Sequence, residues 1–441
     1  MFDQEVSTFT EKFVKTHDVR EVEANLDGQN VRLFGWVYTK RTHGNLIFIS
    51  LRDSTGLIQV AIHKGQVTDA DFNRANESTL ESSVGIEGTV RADERAPKGV
   101  EIRCRAFHLI SPSLDEYPIK LGVGKDLLLD NRHLHLRSPK VGAILSVKSA
   151  FSSAARDWFH DNDFQEVHCP ILITAACEGG ATLFPVEYFK RKAYLSQSVQ
   201  LYQETAIMAF EKVYSIEPSF RAEISRTRRH LTEFWQIEAE VANASLEDIM
   251  RVQEELLAYT CAKVVENCDA EFRFLKKRFK PLKPPFPKIT YSEAIDRLHK
   301  LNIPIEWGDG LGADEERALS KEFNTPFFIM NYPRKSKAFY HKPHPDDPKL
   351  TLSADLLAPN GQGEIAGGGQ RIDDYDELIE SMELFQLNPK DYQWYIDLRK
   401  YGSVVHSGFG LGIERTVQWI LKLPHIRDVS LYPRTPTRVY P

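Results

Sequence analysis

The stretch FRAEISRTRRHLTEFWQIEAE, residues 220–240, alternates with the period of a β-strand yet carries a dense crowd of ionisable side chains. In its second half Trp235, Ile237, Ala239 and Val241 fall on one face, and Phe234, Gln236, Glu238 and Glu240 fall on the other. Such a pattern calls for an antiparallel sheet with one face on a core and the opposite face polar. The intervening ISRTRRH supplies Arg226, Arg228, Arg229 and His230. An arginine at the strand end, cations in the loop beyond it and carboxylates farther in suit a polyphosphate held by arginines, with a polar substrate deeper on the sheet. A merely solvated sheet face is the competing reading.

At 441 residues the chain is long enough for at least two domains and for a core that needs no covalent staples. Five cysteines, an odd number without a C-x-x-C pair, argue against a disulfide framework and a zinc site and fit a reducing cytoplasm. The polar, acidic start MFDQEVSTFTEKF and the lack of about 18 uninterrupted apolar residues imply neither export nor membrane insertion. A net charge of −6 does not by itself announce a nucleic-acid partner; a local basic face would be needed.

From Asn30 to about Ile110, five β-rich runs (VRLFGWVYTK, NLIFISLRD, LIQVAIHK, VGIEGTVRA, VEIRCRAFHLIS) are separated by turn signals, which predicts a small barrel of OB-fold size; a small sandwich shares the signature. SPSLDEYPI then reads as a hinge. Residues 148–159 have helical periodicity, and FQEVHCPILI reads as a strand with Pro170 inside it, hence an edge or an interface. Ser245, with Asp248 three residues on, is the cap of a long helix on which Cys261 and Cys268 are buried thiols. The basic, proline-rich run from Phe272 onward reads mostly as a solvated connection.

Two further segments carry chemistry. DLLAPNGQGEIAGGGQRI sets Asp355 and Glu364 around a turn-rich loop ahead of Arg371, the ingredients of a magnesium site shared with phosphates; a surface turn is the plain alternative. Glu364 and Arg371 are an odd number of residues apart, so a regular strand would face them oppositely; a bulge at Gly367, Gly368 and Gly369 is expected to bring them together. HSGFGLGIERTVQWILKL alternates Gly408, Gly410 and Gly412, letting a flat ligand lie against the backbone under Arg415, and then turns helical. It is neither a dinucleotide G-x-G-x-x-G in a β-α-β unit nor a P-loop.

In this order the segments resemble the class II aminoacyl-tRNA synthetases: motif 1 ending at Pro170, motif 2 in FRAEISRTRRHLTEF and motif 3 in GFGLGIER. Within the aspartyl/asparaginyl subgroup, QSVQLYQET, RTRRHLTEFWQIEAE, WYIDLRKYGSVVHSGFGLGIER and HIRDVSLYPRTP look like the asparaginyl-tRNA synthetases of archaeal and eukaryotic type. Aspartyl relatives resemble Q-S-x-Q-x-x-K-Q with a lysine where this chain has Gln203, and an Asp where it has Glu238. The resemblance implies an α+β chain: an N-terminal OB-fold barrel (1–112) for the anticodon, a hinge (113–132) and a class II catalytic domain (133–441), an antiparallel sheet flanked by helices with a small insertion around 270–345.

It also implies site residues. Arg221, Glu223, Arg229, His230, Phe234, Glu364 and Arg415 would bind ATP, with Arg221, Glu223 and Arg415 catalytic and Phe234 and Arg415 sandwiching adenine. Asp355 and Glu364 would hold Mg2+, although Gly367 stands where relatives carry a serine. Glu178, from CEGGATLF, and Gln200, Gln203, Glu238 and Arg371 would bind L-asparagine, Glu238 accepting from its amide NH2 and Arg371 donating to its carbonyl. Aspartate would meet Glu238 carboxylate against carboxylate without a compensating lysine. Arg41, Phe48, Gln59 and Glu101 would read the anticodon of tRNA(Asn), with Phe48 stacking on a base; core packing is its competing role. Motif 1 around Pro170 would build a homodimer. The competing functions are an aspartyl enzyme, a silent tRNA-binding paralogue and a ligase that amidates free aspartate.

Overall fold

The computed structural model describes residues 14–114, 116–120, 122–178, 182–224 and 227–441. Arg226 and residues 179–181 of CEGGATLF lie outside the described residues. Contacts divide the chain into two compact units, Met1–Pro139 and Lys140–Pro441. The interval expected to be a hinge is not all loop: it contains the helix Lys125–Asp130, whose Leu129 is buried.

In the first unit β1 (Asn30–His43), β2 (Leu46–Arg52), β3 (Leu57–His63), β4 (Ser83–Ala92) and β5 (Val100–Ser111) close into a barrel in the order β1-β2-β3-β5-β4. Strict alternation sends Ile47, Ile49, Leu51, Ile58, Val60 and Ile62 inward. β1 needs one correction to this rhythm. Val37 pairs with Leu51 but Thr39 with Ser50, so Tyr38 is an extra residue and β1 bulges there. Beyond the bulge the parity reverses, and Arg41 stands opposite Phe48 on the outer face rather than pointing inward like Val37. Phe48 is therefore half-buried on the outside and does not belong to the core. Ser50 pairs with Gln59 and Gln59 with Glu101, so Arg41, Phe48, Gln59 and Glu101 share one face across four strands.

The second unit is built on an eight-stranded sheet in the order β12-β13-β14-β15-β16-β11-β10-β6. Its strands are β6 (Gln165–Glu166), β10 (Lys212–Phe220), β11 (Glu233–Ala242), β12 (Lys288–Thr290), β13 (Phe327–Met330), β14 (Ser353–Ala358), β15 (Gly363–Gln370) and β16 (His406–Gly412). The six strands from β13 to β10 are antiparallel throughout. β7 (Leu172–Ile173), β8 (Pro185–Tyr188) and β9 (Arg191–Leu195) form a separate three-stranded sheet. One face of the large sheet, with Ile216, Ile237, Ala239, Leu356 and Phe409, packs on the helices Pro139–Asp161 and Leu246–Asn267. The second of these starts at Ser245, which accepts from Asp248 N while Asp248 caps back. Cys261 and Cys268 are buried and free, as expected.

Several expectations are corrected. FQEVHCPILI is not one strand: β6 ends before Pro170 and β7 begins after it, because proline lacks the N–H a ladder requires. Within residues 270–345, expected as a small insertion, β12 and β13 extend the central sheet and bury Ile289, Phe327 and Ile329 in a common apolar cluster with Leu357. The run after Phe272 is anchored as well as solvated: Phe286 is buried and Phe279 sets its ring edge-on to Trp419. The polar face of β11 is not open to solvent. Glu238 and Glu240 are 4% and 1% exposed, covered by Tyr340, His341 and the helix Gln200–Phe210, whereas Trp235, expected inward, is 41% exposed at the start of its strand. No described helix is long and apolar enough to cross a membrane.

Candidate functional site

Two adjoining recesses open on the polar face of the large sheet. The first is lined by Arg221, Glu223, Arg229, His230, Phe234, Glu364 and Arg415, the whole set that the resemblance implies for ATP. The second, about 210 Å³, is lined by Glu178, Gln200, Glu238, Asp355 and Arg371, and shares Arg221 and Glu364 with the first. One expected member is missing. Gln203 is fully buried beneath the wall, donating to Ser215 Oγ and to the Glu238 carbonyl at 3.0 Å each, so it sets the backbone of Glu238 rather than facing the cavity.

A bulge brings Glu364 and Arg371 to the same face, but not where the glycines stand. Leu356 pairs with Ala366 and Leu357 with Glu364, so the extra residue is Ile365, while Gly367, Gly368 and Gly369 pair regularly with Asp355, Ala354 and Ser353. The glycines serve close approach instead. A Cβ at Gly408 would collide with the Glu240 carboxylate, and a Cβ at Gly367 would lie 3.2 Å from Asp355 Oδ1 and 3.3 Å from Glu364 Oε1.

The amino-acid end is organised by two carboxylates with different partners. Glu240 receives two hydrogen bonds from Arg371, from Nε at 3.2 Å and from Nη2 at 2.5 Å, and both residues are almost wholly buried. Burial pushes the Glu240 carboxyl up against the pull of Arg371, and Glu240 in turn raises Arg371 against the cost of its own burial. Glu238 has no guanidinium of its own. Ser198 Oγ donates to its Oε2 at 2.5 Å and Val199 N at 3.2 Å, leaving Oε1 with one longer contact at 3.4 Å. Burial and the nearby Glu178 outweigh these bonds and raise the Glu238 carboxyl to about 7.

The phosphate end is a balance of charges. Lys337 Nζ lies 2.6 Å from both oxygens of Asp355, and Arg415 Nη1 donates to Glu364 Oε2 at 2.8 Å. Arg415, Lys337 and Arg229 overcome burial and hold Glu364 down at about 2, whereas burial and Glu364 push Asp355 up. Two carboxylates converging on the space over Gly367 fit Mg2+, a hard cation that takes one or two protein carboxylates and fills its shell with phosphate oxygens and water. They do not form an all-protein cage, because no cluster of three possible metal-binding side chains occurs among the described residues. The Arg221 guanidinium lies 5.5 Å from the centroid of the Phe234 ring. Arg221 Nε, Gln236 Oε1 and His341 Nδ1 are buried without a partner along these walls, as befits a site whose polar ligand completes the bonding.

Several contributors escaped the sequence. Glu316, in the helix Ala313–Ser320, accepts from Arg229 Nη1 at 3.0 Å and from Glu364 N at 2.9 Å, clasping the motif 2 loop to the Ile365 bulge. Nothing local marks it, since it lies in a stretch read as an insertion. Glu414 ties Trp235 N to Lys148 Nζ, and Tyr340 Oη donates to Glu178 at 2.7 Å. Glu240, by contrast, was visible as a carboxylate on the polar face of the alternating strand.

A sheet of this topology, with arginines at the hairpin and paired acids on β14 and β15, defines a class II synthetase catalytic domain. Residues 124–436 match the model of the class II tRNA synthetases (D, K and N), and residues 31–110 match the OB-fold nucleic acid binding domain. The chain is 52% identical to asparagine–tRNA ligase from Thermococcus gammatolerans over 424 residues, 96% of this chain and 98% of that one, and 53% identical to the Thermococcus kodakarensis enzyme over 425 residues, with the same coverage. It superimposes on the crystal structure of asparaginyl-tRNA synthetase from Pyrococcus horikoshii complexed with asparaginyl-adenylate with a TM-score of 0.93 at 51% identity, covering 97% of this chain and all of that one. The aspartyl-tRNA synthetase of Entamoeba histolytica gives 0.86 at 28% identity, covering 98% of this chain and 94% of that one. The chain belongs to the asparagine–tRNA ligase family.

The Glu238 carboxyl makes a testable contribution to stability. Its folded value, about 7, lies above its usual 4.5, so the stability it contributes is complete below pH 4.5 and is lost as pH rises through 7. The difference amounts to about 3 kcal/mol. In the absence of ligands, Glu238→Gln is expected to melt higher than the unaltered protein at pH 8, with the gap closing toward pH 5, measured by thermal unfolding across that range.

Proposed function

We propose that this protein activates L-asparagine with ATP to asparaginyl-adenylate and transfers the asparaginyl group to tRNA(Asn). The carrying observation is that Glu238 and Arg371 share the wall of one cavity whose other end is lined by Arg221, Asp355 and Glu364. A carboxylate acceptor and a guanidinium donor side by side match the NH2 and carbonyl of a side-chain amide. Arg371 is already balanced by Glu240, so an aspartate side chain would meet Glu238 without an unpaired cation to offset the repulsion. Glu178 and Gln200 would take the α-amino group.

No protein nucleophile is required. The substrate carboxylate attacks the α-phosphorus in line, the bond to the bridging oxygen breaks, and pyrophosphate leaves with the electron pair. Arg221 stabilises charge on the α-phosphate in the transition state, while Arg229, His230 and Arg415 serve the outer phosphates and Phe234 the adenine. When bound, Mg2+ held by Asp355 and Glu364 supplies further neutralisation of phosphate charge. A terminal tRNA hydroxyl then takes the acyl group from the adenylate, releasing AMP. Arg41, Phe48, Gln59 and Glu101 form the anticodon-reading face, where Gln59 Nε2 already donates to Glu101 at 2.9 Å. The chain acts in the cytoplasm as a homodimer whose contact is centred on Pro170, where Ile171 and Leu172 are 40% and 44% exposed.

Pyrophosphate exchange into ATP should proceed with asparagine and not with aspartate; the reverse preference would overturn this reading. Arg221→Ala should lower the exchange rate by about 10²–10³-fold. Phe48→Ala should leave exchange unchanged but lower kcat/KM for tRNA by about tenfold, the worth of one stacked base, measured by aminoacylation.

A further inference from the structure

Glu204, on the helix Gln200–Phe210, has no place in the reaction described above, yet its carboxylate accepts four side-chain hydrogen bonds. It is fully buried. Gln200 Nε2 donates to its Oε1 at 3.1 Å, and Tyr395 Oη, Arg399 Nη2 and His406 Nε2 donate to its Oε2 at 2.7, 2.7 and 3.0 Å. Arg399 and His406 outweigh burial and hold the carboxyl far below the usual carboxylate range, so it is ionised.

Three of the four donors lead to the amino-acid end of the cavity. Gln200 is itself part of the wall. Arg399 Nε donates to the Ile372 carbonyl at 2.8 Å, and the His406 carbonyl accepts from Arg371 N at 2.9 Å. The backbone at 371 and 372 is thus gripped from two directions by residues that Glu204 fixes, while Glu240 aims the guanidinium at its far end. Glu204 also joins the two halves of the pocket, because Gln200 comes from the helix and Arg371 from the end of β15.

We propose that Glu204 is a positioning residue for the amino-acid substrate, setting Gln200 and Arg371 through its hydrogen bonds without touching the ligand. This rests on the reading of the cavity as the asparagine site. A carboxylate that only stabilised the fold would change the melting temperature and the fraction of active protein but would leave the substrates' KM values alone.

Glu204→Gln preserves shape but removes the charge and one of the two acceptor oxygens, leaving a single amide oxygen for Gln200, Tyr395, Arg399 and His406. In pyrophosphate exchange with the full chain, KM for asparagine should rise at least about tenfold, the loss of charge-assisted bonds, while KM for ATP stays within about twofold. Tyr395→Phe removes one donor and keeps the ion pairs; it should raise the asparagine KM by about two- to fivefold and serves as the deciding variant if Glu204→Gln does not fold. An unchanged asparagine KM in the folded variants, or an equal rise for both substrates, would overturn the proposal. Lack of asparagine exchange in the unaltered protein would instead remove the reading on which it stands.

Discussion

The site depends on the buried pairing of Arg371 with Glu240. Two ions removed from water cost several kcal/mol each, and only close, doubly bonded geometry recovers it. Here the geometry exists because β16 carries Gly408 opposite Glu240, leaving room for the carboxylate against the sheet. The pair fixes a guanidinium whose charge is already answered. Beside it Glu238, held by hydroxyl and backbone donors alone, remains the wall's uncommitted acceptor. An uncharged amide suits this combination, and a second carboxylate does not.

Around that pair the fold spends its irregularities where function needs them. The extra residue Tyr38 turns Arg41 outward beside Phe48, and the extra residue Ile365 turns Glu364 to the side of Asp355 and Arg371. Both are β-bulges that reverse the parity of a strand. The clasp from Glu316 to Arg229 and Glu364 N then holds the second bulge, so a helix remote in sequence supports the phosphate end.

What the sequence made legible follows the same division. Periods of two and 3.6 marked the barrel strands, the charged hairpin and the helix capped by Ser245, because those elements repeat their environment along the chain. All seven proposed nucleotide contacts line one recess, but it was the resemblance to the class II motifs, not the period, that picked them out. Gln203 was placed on the wall but lies behind it, since helical spacing does not tell which side chain reaches a cavity and which one supports it. The bulge at Ile365 was sought at the glycines, because a register shift leaves no compositional mark. Glu316 carried no signal at all, and Glu204 only that of standing in QSVQLYQET where the aspartyl pattern ends in Q: a buried carboxylate is recognised by its partners, and Arg399 lies more than a hundred residues from Glu204.

The central claim is that Glu238 meets the substrate amide as a carboxylate. Because its ligand-free carboxyl lies at about 7, it is close to half protonated at neutral pH and must shed that proton to accept from the NH2. Calorimetric titration with asparagine in buffers of different ionisation enthalpy should show the release of about half a proton per site at pH 7, where the asparagine α-amino group is still protonated, and more as pH falls toward 6. Proton uptake, or no proton release, at pH 6–7 would contradict the account.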